Sequence, residues 1–251
     1  MTHIIHILVT CRNPDLFAAS ALVFKTLRVG FPSAQVRVAG NSLSGEHAAV
    51  ISVLVEGIRG SFTNSCCRVT HWEWIAGLIA HQPAPFFICD TDMIFWSCME
   101  GFDYQGPMHG RLIPSFRCPV TESGTIQRLH TALLYIDPAE FRMFQVLHAR
   151  EEAARHPFPL QIDLVRPVRF AIRGQIFFHD TLGQAYSVLG GHSFTETMLD
   201  CYDHISCGTW LDLLENSVPD SLARQMDRIL HPETARGLWR HQQQYCESRR
   251  I

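Results

Sequence analysis

Two aspartates one residue apart, Asp90 and Asp92 in "PFFICDTDMIFW", break an apolar run that resumes at once. Two carboxylates in a dry site with no counter-charge are costly. Placed where a strand ends and the chain bends, both can reach one hard divalent cation. Mg2+ or Mn2+ bound this way keeps its other positions for water and substrate phosphates. The pair therefore points to phosphate chemistry. An isolated D-x-D also occurs as loop aspartates that cap a helix or stand in solvent. The context favours the metal, because five apolar residues lead into Asp90 and "MIFW" follows Asp92.

Such a pair needs a strand to carry it, and the chain supplies one after repeated strand and helix patterns. "HIIHILVT" is a continuous apolar run ending in the turn-like "CRNPD", and Leu16 to Val29 carries apolar residues at helical spacing. "AQVRVAGNS" alternates as a second strand, and "THWEWIAGLIAHQ" reads as a helix with Thr70 as its N-cap. "PFFICD" is then a buried strand. This order predicts an α/β fold with a mostly parallel sheet flanked by helices, whose ligands gather at the carboxyl ends of the strands. Cys11, Arg12 and Asn13 after the first strand, and Asn41 and Ser42 after the second, are placed there to hold base and ribose. Further on, "MHGRLIPSF" and "LHTALLYID" look like strands, "PAEFRMFQVLHAREEAARH" like a helix begun by Pro138, and "VRFAIRGQIFFHDTLGQAYSVLG" like strands and turns. No Gly/Ser-rich or Pro-rich tract divides the chain, so one domain over 1–251 is expected, with a nucleotide-binding half over 1–100 and an acceptor-side half over 101–251.

Composition bounds the rest. With 251 residues, 47% hydrophobic and 18% charged, the chain can bury a large core. No apolar run reaches the ~18 uncharged residues of a membrane span, and the start lacks a signal-peptide pattern, so cytoplasmic residence is expected. The nine cysteines are odd in number and scattered, without a CxxC pair, and read as reduced, mostly buried thiols. A net charge of −3 provides no global field for nucleic acid. Lys25 is the single lysine, which excludes any mechanism needing a lysine beyond it.

At the D-x-D segment the sequence resembles the nucleotide-sugar glycosyltransferases of the GT-A (Rossmann-like) fold, in which this motif ends a central strand and holds a metal. "HIIHILVTCRNP" is similar to their first nucleotide-binding strand and loop, and "LHTALLYIDPAEFR" to a later strand and helix beside the donor sugar. "DHISCGTW" is similar to their C-terminal histidine segment, which implies His204 as a third ligand beside Asp90 and Asp92 on Mn2+ or Mg2+. Gly208 lies four residues after His204, not three as in H-x-x-G-x-x-K, and no lysine follows. The resemblance implies transfer of a sugar from a nucleotide donor, a UDP-sugar foremost, with Asp90 and Thr91 joining Cys11, Arg12, Asn13 and Asn41 around it. It leaves the acceptor open between a glycan, modified DNA and other molecules. Arg12 is the nearest candidate for diphosphate charge, and Arg166, Arg169, Arg173, Arg236, Arg240, Arg249 and Arg250 for a polyanionic acceptor.

Asp163, Asp180 and Glu196 are available acids for a base, none with a diagnostic setting, and His179 with Asp180 forms a second polar break after an apolar run. Trp72 and Trp74 cannot share one helix face, so one is expected in the core while the other, or His71, approaches the donor. His3, His6, His81 and His148 read as surface or packing residues. Two other functions fit the pair: a haloacid dehalogenase-like phosphatase with D-x-D-x-[TV], and a nucleotide-binding domain without turnover. "DTDMI" departs from the phosphatase pattern at Ile94, and the acidic pair Glu151–Glu152 falls in an expected helix.

Overall fold

A computed structural model of the chain describes residues 2–10, 23–91, 93–113, 115–117, 124–155, 163–172 and 175–204. In chain order its elements are β1 (Ile4–Val9), α1 (helical over 23–30), β2 (Gln35–Asn41), α2 (Gly45–Gly57), β3 (Ser61–Ser65), α3 (His71–His81) and β4 (Phe86–Cys89). There follow β5 (Met93–Phe95), β6 (Met108–Ile113), β7 (Phe116–Arg117), β8 (Gly124–Thr125), β9 (Arg128–Ile136), α4 (Pro138–Arg155), β10 (Val168–Ile172) and β11 (Gln175–His179). The last are α5 (Gly183–Leu189), β12 (His192–Ser193), α6 (Glu196–Leu199) and β13 (Tyr202–His204).

The main sheet has seven strands in the order β12-β6-β9-β4-β1-β2-β3. Neighbours pair in parallel except at β9, which runs antiparallel to both β4 and β6. This is the expected mostly parallel sheet. Burial explains why β4 reads as an unbroken apolar run: all four of its residues are buried, with Phe87 and Cys89 in one apolar cluster and Phe86 and Ile88 in another. The alternation puts successive side chains on opposite faces, so both faces of the central strand are covered. Each large side chain sealed there contributes about 1.5–3 kcal/mol.

The helix boundaries have local causes. Thr70 caps α3 through a reciprocal pair, its hydroxyl accepting from the Glu73 N–H at 3.3 Å while the Glu73 carboxylate accepts from the Thr70 N–H at 2.8 Å. Gly30 closes α1, where a Cβ would lie 2.5 Å from the Phe95 ring. That close approach lets β5 lie against α1, and the buried Phe95 N–H donates to Thr26 Oγ1 at 3.2 Å.

Three elements depart from the sequence expectations. α2 turns Ala48, Ile51, Leu54 and Val55 toward one apolar cluster, but Val50 and Val53 on its exposed side blur the periodicity. The polar β3 is an edge strand held by its pairing to β2. α5 starts from Leu182 in a left-handed conformation, φ 62°, with no side-chain cap, where only strands and turns were expected. The described cysteines are free thiols but are not mostly buried. Of the five described cysteines, Cys89 and Cys201 are buried but Cys66, Cys67 and Cys98 are exposed, because the loops that carry them lie outside the apolar clusters. No described helix is long and apolar enough to cross a membrane.

Candidate functional site

β4 is the middle strand of the seven, and Asp90 follows its last residue. The Asp90 N–H extends the β4–β9 ladder by donating to Ala132 O at 2.7 Å, which fixes the backbone there. Its side chain is half-buried, with Oδ1 3.9 Å from His71 Nε2. His71 is the first residue of α3, and its ring stacks on Trp74 with centroids 5.9 Å apart. Burial lowers the His71 pKa below that of free imidazole, against an opposing pull from Asp180, so the ring stands neutral beside Asp90.

His204 reaches the same place by strand pairing. β13 runs antiparallel to β5 with Tyr202 opposite Phe95 and His204 opposite Met93. The pairing is extended where the Trp96 N–H donates to Cys201 O at 2.8 Å. The histidine implied by the C-terminal segment is thus drawn to the residue that follows the D-x-D in the chain. Thr91 lies half-buried in the intervening turn. Asp92 lies outside the described residues, as do Cys11, Arg12 and Asn13.

His130, which the sequence did not single out, completes the gathering. It lies on β9 two residues before Ala132, and its ring meets that of His204 edge-on with centroids 4.8 Å apart. Its Nδ1 lies 3.3 Å from the Ala132 N–H, which places the proton on Nε2 in the neutral ring. Burial, then the neighbouring His204, Arg128 and Arg111, lower its pKa to about 4. The sequence signal was a lone imidazole inside the apolar run "LHTALLYI", too common a feature to mark a site by itself.

A second pair borders these histidines. Arg128 donates from Nη2 to Asp180 Oδ2 at 2.7 Å, and the Thr181 N–H donates to Asp180 Oδ1 at 2.8 Å. Of the three acids considered as a base, Asp180 alone acts electrostatically on His71 and His130. Asp163 accepts from the Val165 N–H, and the exposed Glu196 opens α6.

The other candidates are placed differently. Asn41 is buried and its amide is engaged: Oδ1 accepts from the Val69 N–H and Nδ2 donates to Val69 O, both at 2.9 Å, with Thr10 Oγ1 at 3.4 Å from Nδ2. Ser42 beside it is an exposed turn residue with φ 60°. Trp72 and Trp74 both pack against the second apolar cluster, and His71 lies beside Asp90. The Arg166 guanidinium lies 5.5 Å over the Trp72 ring. The side chains of Arg169, Arg173 and His179, and all of Arg236, Arg240, Arg249 and Arg250, lie outside the described residues.

Carboxylate and imidazole are ligand types that suit Mn2+, and the β5–β13 pairing sets His204 opposite Met93, three residues after Asp90 in the chain. Among the described residues alone, no three His, Cys, Asp or Glu side chains are grouped as a metal site.

No protein-family model matches the sequence, and no curated sequence is similar enough to signal relatedness. Solved structures with a similar chain path include glycosyltransferases and a 4-diphosphocytidyl-2C-methyl-D-erythritol synthase from Anaerococcus prevotii DSM 20548, the last with a TM-score of 0.38 at 13% identity over 64% of this chain and 81% of that one. The galactosyltransferase LgtC with donor and acceptor sugar analogs has a TM-score of 0.44 at 10% identity, over 77% of this chain and 73% of that one. The apo-form glycosyltransferase GlyE of Streptococcus pneumoniae TIGR4 has a TM-score of 0.41 at 8% identity, over 78% of this chain but only 46% of its own. The mannosyltransferase PcManGT from Pyrobaculum calidifontis, in complex with GDP-Man and Mn2+, has a TM-score of 0.37 at 10% identity, over 57% of this chain and 46% of that one. This chain thus spans less than half the length of GlyE.

Proposed function

We propose that the chain is a metal-dependent glycosyltransferase that moves a sugar from a nucleoside-diphosphate sugar, with a UDP-sugar as the first donor to test. The observation that carries this reading is the register that sets His204 opposite Met93, directly after the D-x-D at the end of the central strand. Asp90, Asp92 and His204 would hold Mn2+ or Mg2+. When bound, the ion supplies neutralising charge for the departing diphosphate.

The remaining work belongs to side chains around Asp90. His71 sits neutral at the α3 N-terminus, 3.9 Å from the carboxylate, so it does not compete for it as a cation. His130 braces the His204 ring edge-on. Asn41 acts through the 66–70 loop, whose far end it fixes at Val69. Cys11, Arg12 and Asn13 complete the donor loop in this proposal. The phosphatase reading is weaker, since Glu151 and Glu152 lie within α4 and not at a strand end.

The test is hydrolysis of UDP-, GDP-, CMP- and TDP-sugars with and without Mn2+, alongside a simple phosphomonoester. Metal-stimulated release of nucleotide from one sugar donor, lost in Asp92→Asn, supports the proposal. Turnover of the phosphomonoester alone would make the chain a phosphatase. Donor binding without turnover, with or without acceptors, would make it a binding domain.

A further inference from the structure

Cys66 and Cys67 are adjacent in sequence, both exposed, with their sulfurs 3.8 Å apart. They follow the last residue of β3 in a span tied at both ends. On one side Ser65 Oγ accepts from the Cys67 N–H at 3.1 Å and donates to Cys67 O at 2.8 Å. On the other, Val69 is held through both its N–H and its carbonyl by the Asn41 amide. The exposed segment Cys66-Cys67-Arg68 therefore cannot open far, and both thiols stay together facing solvent.

We propose that Cys66 and Cys67 form a reversible dithiol–disulfide site that exchanges with low-molecular-weight disulfides of the glutathione type. The thiolate of one cysteine attacks a sulfur of the disulfide and expels one molecule of free thiolate, leaving a mixed disulfide on the protein. The neighbouring thiolate then attacks the protein-side sulfur of that mixed disulfide, forms the Cys66–Cys67 bond and expels the second thiolate. The protons from the two cysteines end on the two released thiols, so the protein loses two electrons and two protons and the small disulfide gains them. Consecutive Cα atoms are ~3.8 Å apart, less than the ~4.4–6.8 Å that unstrained disulfides span. The bond is consequently strained and easily reduced, as suits an exposed and labile pair. The sulfurs need only close from 3.8 Å to the ~2.05 Å of the bond, within a segment whose three side chains are all in solvent. This chemistry uses none of the proposed metal ligands.

Peptide mapping of the native full chain decides it, after incubation with excess oxidised glutathione and alkylation of the remaining thiols. The peptide carrying Cys66 and Cys67 is expected unalkylated and lighter by two hydrogens, and a mild dithiol reductant restores both alkylation sites. Cys66→Ser and Cys67→Ser should each accumulate glutathione on the remaining thiol, because no neighbour is present to expel it. In wild type, glutathione on both cysteines, full alkylation of both, or a bond from either to a third cysteine would overturn the proposal.

Discussion

Asn41 ends β2 and Asp90 follows β4, two polar side chains at the carboxyl edge of one parallel sheet with β1 between them. From sequence they look alike, each a polar stop after apolar residues. In the structure Asn41 is buried and its amide answers the backbone of Val69 at both ends, whereas Asp90 keeps a half-exposed carboxylate toward His71. The strand end is a place where either role fits. What separates them is the partner set: an amide donates and accepts at once and so can satisfy a neighbouring peptide group, while a carboxylate only accepts. Acceptors alone suit a cation, and that is the physical ground on which Asp90 is proposed as a ligand and Asn41 as a tie.

The sharpest way to break this contrast is Asp90→Asn, which keeps the shape and removes the charge. Metal-stimulated donor hydrolysis should fall by ~100-fold or more, since even groups that only orient metal ligands are worth ~10–100-fold. The melting temperature should hardly change, because the backbone bond to Ala132 is retained. Kinetics across a Mn2+ titration, with thermal melts of the same samples, is the measurement. Full activity with normal metal dependence would remove Asp90 from the site.

His6 extends the contrast to a buried polar group with neither kind of partner. It sits within β1, with its ring edge-on to Phe86 at 5.3 Å and its Nε2 without a hydrogen-bond partner among the described residues. Burial first, and Arg37 second, push its pKa down to about 4. The folded state therefore holds this ring neutral while the unfolded chain protonates it near ~6.5. Stability from this group is fully present above that value and is lost as the pH falls toward 4. The slope is about 1.4 kcal/mol per pH unit. Urea unfolding between pH 7 and 4 should show His6→Leu with a shallower decline than wild type by about that slope. Equal slopes would mean that the imidazole is solvated in the folded protein.

Asn41→Ala tests the other side of the opening contrast. Removing the amide leaves the Val69 N–H and carbonyl without their partners, at a cost of about 1–3 kcal/mol. For a chain of this size each kcal/mol lowers the melting temperature by about 2–4 °C. Donor affinity should change less than stability does. A large loss of affinity at unchanged melting temperature would instead make Asn41 a donor-binding residue.

Much of the sheet was legible because its central strands are sealed on both faces and therefore read as unbroken apolar runs, as in "FFIC" and "IIHILV". α3 was legible because its start is written in local chemistry, Thr70 followed three residues later by Glu73. α2 was not, since exposed Val50 and Val53 add apolar residues opposite the face that packs on the core. Asp90 was legible as a polar stop at the end of a central strand, because that signal is local. His204 could be named only through the resemblance, because the pairing that brings it to Met93 is long-range. His130 had only a lone imidazole in an apolar run as its signal, its meaning arising from the long-range ring contact with His204.

The smallest effect sharpens the role of α3, the helix that presents His71 to Asp90. Thr70→Ala removes the hydroxyl that accepts from the Glu73 N–H, and loss of such a cap costs ~1 kcal/mol. The helix persists, since Ile75 and Ile79 anchor its buried face, but its first turn frays and His71 loses its fixed approach. A melting temperature lower by a few degrees at neutral pH should accompany a modest weakening of donor binding. The pH dependence has a definite sign. Hydrogen bonds from the Thr70 backbone first, and its side chain second, hold the Glu73 carboxyl below its ordinary range. The reciprocal cap is therefore complete above the ordinary carboxylate pKa and is lost as the pH falls through the lower folded value. The gap in melting temperature between wild type and Thr70→Ala should narrow on acidification through that range. A gap that stayed constant would mean that the threonine acts through its hydroxyl alone, without the glutamate that closes the box.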